Sequence, residues 1–126
     1  MNKKILVIDD ESDDQFYHSV VKNTPYTVAI AGSSDAAIKM NQQSPFDLIF
    51  VNLSGSVNIE VDSLKQLHES QPDVPLYLIT SFQKESWMNI KHLAEEGLHF
   101  EILRNSIPNS QLASVALGAL EGATVL

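Results

Sequence analysis

Phe46-Asp47-Leu48-Ile49-Phe50-Val51-Asn52 is the stretch on which the reading of this chain turns. A short run of aromatic and branched apolar residues follows the break at Ser44-Pro45. It predicts a buried strand over Asp47 to Val51 that ends on the polar Asn52. The same form occurs upstream in Lys3-Lys4-Ile5-Leu6-Val7-Ile8-Asp9-Asp10-Glu11, where a strand over Ile5 to Ile8 runs into acids. It occurs again downstream in Val74-Pro75-Leu76-Tyr77-Leu78-Ile79-Thr80-Ser81, where a strand over Leu76 to Ile79 ends in hydroxyls.

Between these runs lie longer amphipathic segments. Ser12 to Asn23 is expected to be helical, with Phe16, Val20, Tyr17 and Val21 on its inner face and Thr24-Pro25 as its stop. Thr27 to Ala31 reads as a strand broken by Gly32, and Ser33 or Ser34 caps a helix that runs to about Gln43. Asn52 to Glu60 is polar and reads as a loop. Val61, Leu64 and Leu67 fall at helical spacing, and Gln71-Pro72-Asp73 forms a turn. Lys84 to Glu96 is a helix that Gly97 terminates, Phe100 to Leu103 a strand, and Ser106 to Asn109 opens a last helix reaching Leu120. Five strands alternating with five helices imply right-handed crossovers and a parallel sheet covered on both faces. Ligands of such sheets bind at the carboxyl ends of the strands.

The 126 residues suit one domain, 1–126, with a core of its own. At 44% hydrophobic and 19% charged, general disorder is not expected. The formal net charge of -8 and the scatter of the eight Lys and Arg residues disfavour direct nucleic-acid binding. The chain has no cysteine, which excludes disulfides and thiolate metal sites. The apolar run after Lys3-Lys4 meets Asp9-Asp10-Glu11 too early for a secretory signal, and no stretch approaches a membrane span. A cytoplasmic location is the expectation. His18, His68, His92 and His99 show no metal-ligand spacing, and Gly32, Gly55 and Gly97 form no phosphate loop.

In order and spacing these runs resemble the receiver domain of two-component response regulators. The resemblance covers the whole chain and runs from Asp47 to Thr80 without a gap. It implies an α/β, flavodoxin-like, doubly wound five-stranded parallel sheet of order 2-1-3-4-5 with five helices. In that family an aspartate ending the third strand accepts a phosphoryl group, beside magnesium held by the acidic pair. A hydroxyl, a lysine and an inward-turning aromatic then convert the charge into a change of the face formed by the fourth helix, fifth strand and fifth helix.

Carried over residue by residue, the pattern is altered. Asn52 stands at the phosphoacceptor position, and an amide is not a phosphoryl-accepting nucleophile. Asp9 and Asp10 match the metal-binding acids, but the loss of one anionic ligand makes magnesium weak or lost and no cofactor required. Thr80 matches the switch hydroxyl, while Arg104-Asn105 stand where the family has lysine and proline. Without a gap Glu101 takes the aromatic position; a slip of one residue would give it to Phe100 and put Leu103 in place of the lysine.

The resemblance so altered implies a pseudo-receiver in bacterial signalling: not an enzyme, and not phosphorylated in the usual place. It would work by binding a protein partner: a histidine kinase, an output domain or another signalling protein. Trp87 and Met88 early in the fourth helix, and Leu117 in the apolar last helix, are the expected contact residues, with a homodimer through the last helix a second use of that surface. Alternatives are a small-ligand or anion sensor at the carboxyl edge, built from Arg104, Thr80 and Asp9/Asp10, and a conventional phosphoacceptor using another acid.

Overall fold

The computed structural model describes residues 3–9, 15–53, 61–80, 84–104 and 107–121. The elements run β1 (Lys4–Ile8), α1 (Gln15–Asn23), β2 (Thr27–Ala31), α2 (Ser34–Gln43), β3 (Leu48–Asn52), α3 (Val61–Ser70), β4 (Leu76–Thr80), α4 (Lys84–Glu95), β5 (Glu101–Arg104) and α5 (Asn109–Glu121). The strands form one sheet of order β2-β1-β3-β4-β5, and every pairing is parallel.

Alternation along the central strands divides the core between the two faces of the sheet. Successive side chains of a strand point to opposite faces. Leu6, Ile8, Ile49, Val51, Leu76 and Leu78 therefore join one cluster, closed by Leu64, Leu67, Ile90 and Leu93 from α3 and α4. Ile5, Val7, Leu48, Phe50 and Ile79 join the other, closed by Val20, Leu112, Ala116 and Leu120 from α1 and α5. A sheet buried on both faces has no polar side, which is why β1 and β3 read as unbroken apolar runs.

Local chemistry sets the ends of the elements. Ser33 Oγ accepts the Ala36 backbone N–H at 3.1 Å and caps α2. Gly97 at φ 86° lets the chain leave α4 in a left-handed turn that a side chain would oppose. Asp47 ties β3 to β1 at their start, its Oδ2 accepting the Lys4 backbone N–H at 2.9 Å. Replacing Ser33 by Ala should lower the unfolding free energy by about 1 kcal/mol, since one orphan helix donor loses its partner. Urea unfolding followed by circular dichroism reads this directly, and an unchanged midpoint would deny the cap any role.

Two sequence expectations are corrected. Val21 is 44% exposed, not on the inner face of α1, because it lies about 100° around the helix from the fully buried Val20. The fifth strand is Glu101–Arg104, one residue later than Phe100 to Leu103. Phe100 packs against the core from outside the ladder.

Candidate functional site

The carboxyl edge brings together the polar residues that end the strands. Asp9 follows β1, and Asn52, Thr80 and Arg104 close β3, β4 and β5. These strands are neighbours in the order β1-β3-β4-β5: Asp9 comes level with Asn52, whose own partner on β4 is Ile79, and Thr80, one residue further along, is paired with Arg104. Asp9 is held by its backbone N–H, which bonds the Ala31 carbonyl of β2 at 2.9 Å. Beyond Asn52, the Leu53 N–H bonds the Ile79 carbonyl at 2.7 Å, which keeps the end of β3 against β4.

Asp9 is 3% exposed, Asn52 6% and Thr80 0%. A carboxylate so covered must be met by donors or a cation. Asn52 Nδ2 supplies one donor, reaching Asp9 Oδ2 at 3.0 Å. The amide thus bonds the acid beside it, where an aspartate would set two negative oxygens against each other. Thr80 and Arg104 are paired across the β4–β5 ladder: Arg104 stands at the strand end and Glu101 lies opposite Tyr77. Thr80 is sealed from solvent whereas Arg104 is exposed.

A hard divalent cation such as magnesium takes carboxylate, carbonyl and water oxygens. Among the described strand-end side chains Asp9 alone is a carboxylate, and one of its oxygens already accepts the amide hydrogen of Asn52. No three acidic or histidine side chains among the described residues converge as a metal site. Asp10 and the loop residues 54–60 lie outside the described residues.

Of the residues expected at a contact surface, two have described side chains. Met88 on α4 is 64% exposed and Leu117 on α5 41%. Ile102 on the edge strand β5 is also exposed, at 38%, and the sequence did not point to it. An edge strand covered incompletely by its flanking helices leaves such a side chain bare, and its apolar neighbours in sequence do not betray it. The Trp87 side chain lies outside the described residues. No helix among the described residues is long and apolar enough to cross a membrane.

Solved structures of receiver domains share this fold. A response regulator receiver domain protein from Clostridium thermocellum matches with a TM-score of 0.73 and 20% identity, over 95% of this chain and 95% of its own. A CheY-like receiver domain protein from Methanospirillum hungatei matches with a TM-score of 0.73 and 17% identity, over 97% and 96%. The chemotaxis protein CheY4 of Vibrio cholerae matches with a TM-score of 0.72 and 18% identity, over 95% and 100%. No family model matches the sequence, and no curated protein matches it. The likeness is one of fold, and it agrees with the strand order and the five helices found here.

Proposed function

We propose that this chain is a receiver-like signalling module that does not accept a phosphoryl group at the end of β3 and acts in the cytoplasm by binding protein partners. One observation carries the reading: the Asn52 amide is bonded to the buried Asp9 at 3.0 Å. The nitrogen lone pair of an amide is delocalised into its carbonyl, so it does not attack phosphorus. Its N–H occupies the carboxylate oxygen that a cation would otherwise use. The end of β3 is then tied to the end of β1 by a hydrogen bond internal to the protein.

A module without that switch must be read through its surface. Met88, Ile102 and Leu117 project from α4, β5 and α5, the elements that flank the open edge of the sheet. Exposed methionine adapts to varied partners, and apolar side chains without cover mark contact surfaces. The net charge of -8 favours a protein partner over a nucleic acid. Neither catalysis nor a resident cofactor is part of this reading.

Intact-mass spectrometry after incubation with acetyl phosphate and magnesium tests it, on the native chain and on Asn52→Asp. The native chain should keep its mass. The variant should gain one phosphoryl group, as a carboxylate oxygen attacks phosphorus and acetate leaves. Labelling of the native chain would overturn the reading, because another residue would then be the acceptor.

A further inference from the structure

The opposite, amino edge of the sheet holds a cleft of about 280 Å³. It lies where the α3–β4 and α4–β5 connections enter the neighbouring strands β4 and β5. Its walls include His68, Asp73, Tyr77, His99, Phe100 and Glu101. Tyr77, second in β4, stands three residues before Thr80, so the cleft is roughly 10 Å from the carboxyl edge at about 3.3 Å per residue. It owes nothing to the chemistry of that edge.

Three properties of the cleft specify an occupant. The first is charge: two carboxylates, Asp73 and Glu101, border it, and none of the described residues lining it is a lysine or an arginine. Burial first, and then the charge of Glu101, raise the Tyr77 hydroxyl above the ordinary tyrosine range. The second is shape: the His68 and His99 rings stand 6.2 Å apart at 59°, a flat-sided corner beside Phe100 on the α3 side of the sheet, while Tyr77 and Glu101, paired across the ladder, border the cleft from the other side. The third is stiffness. Pro72 and Pro75 fix the α3–β4 connection, and the Val74 N–H bonds the Gln71 carbonyl at 3.1 Å across it. A wall that does not have to be ordered on binding loses less affinity to entropy.

The volume falls just below the roughly 300–1,000 Å³ of small-molecule sites, which suits a group the size of one side chain and excludes a dinucleotide. A planar cation with several N–H donors meets all three conditions. It stacks on aromatic and imidazole faces and directs its donors in a fork at carboxylates. We propose that this amino-edge cleft binds a guanidinium cation, stacked on the His68–His99 corner and hydrogen-bonded to Asp73 and Glu101. The cation is either the arginine side chain of a protein or a free guanidino compound.

Nuclear magnetic resonance of the native chain separates the sources. The probes are N-acetyl-arginine amide, which imitates arginine within a polypeptide, agmatine as a free guanidino cation, and N-acetyl-citrulline amide as the uncharged analogue. At least one cationic probe should shift the ring signals of His68, His99 and Tyr77, with a dissociation constant of the order of a millimolar for so open a site. Tighter binding of the arginine amide assigns the occupant to a protein, and tighter binding of agmatine to a free compound. Asp73→Asn with Glu101→Gln should weaken either by about tenfold or more, and both residues are exposed, so the fold should survive. The proposal is overturned if neither cation moves these signals, if the citrulline amide moves them equally, or if the double variant binds unchanged.

Discussion

Asn52→Asp is expected to destabilise the protein by about 2–4 kcal/mol at neutral pH, and the loss should shrink as the pH falls. The native pair joins an amide donor to a covered carboxylate at 3.0 Å, a charge-assisted bond of roughly 1.5–3 kcal/mol. The substitution removes that donor and sets a second negative charge beside Asp9. Two like charges about 4 Å apart repel by about 4 kcal/mol at an effective dielectric of about 20. The total is bounded, because the two carboxyls can share one proton. Taking up a proton at about pH 7 on a group of ordinary carboxyl affinity costs roughly 4 kcal/mol. A protein with a stability of about 5–15 kcal/mol stays folded under that loss.

The sign of the pH dependence follows from the same proton. Crowding raises the affinity of the introduced pair for a proton above that of the unfolded chain, so the native state of the variant binds more protons. Its stability relative to the unsubstituted protein therefore falls as pH rises and recovers as pH drops from about 7.5 towards 5. Urea midpoints for both proteins across that range give the comparison. Exchanging the partners, with Asp9→Asn added to Asn52→Asp, restores one amide and one carboxylate and should regain most of the loss. A difference below about 0.5 kcal/mol, or one that ignores pH, would mean the two side chains do not face each other as described.

How much of this was legible beforehand depended on burial. β1, β3 and β4 are enclosed on both faces, so their apolar runs located them to within a residue, and Asp9, Asn52 and Thr80 at their ends were placed with them. β5 is exposed along most of its length, and Phe100, an apolar residue outside the ladder, drew the expected strand one residue early. A strand whose two faces differ little in burial carries a weak register signal. Val21 misled for a related reason: two adjacent valines fit a helix face only one at a time. The closeness of His68 and His99 leaves no spacing signature, since 31 positions separate residue 68 from residue 99. Their convergence follows from strand order alone. Each lies on the approach to β4 or β5, and those strands are neighbours. The direction of the Asn52 amide was readable in part: adjacency to Asp9 followed from β1 beside β3, whereas the burial that makes the bond matter needed the packed structure.

Phe50→Ala should cost about 3–5 kcal/mol, the largest loss expected from a single substitution in this core. Phe50 is fully buried in the middle of β3. Its ring meets Phe16 of α1 edge-on at 5.5 Å and 81°, and Tyr77 of β4 at 5.7 Å and 49°. Each such aromatic contact adds about 0.5–1.5 kcal/mol beyond the area it covers. Truncation leaves a void walled by β-strands on one side, which cannot collapse without breaking the ladder, so relaxation must come from α1. Phe50→Leu keeps most of the volume and should cost about 1.5 kcal/mol or less, apart from the lost ring contacts. The contrast isolates the cavity from the loss of aromatic character. Phe50 also shares a strand face with Asn52. A helix that settles inward over residue 50 would disturb the edge at residue 52. The Ala variant should therefore show a smaller Asn52→Asp penalty than the native background, as contacting sites couple by about 0.5–3 kcal/mol. Urea unfolding of the four proteins in that cycle measures both quantities. A Phe50→Ala loss below about 2 kcal/mol would mean that α1 is not seated on this ring.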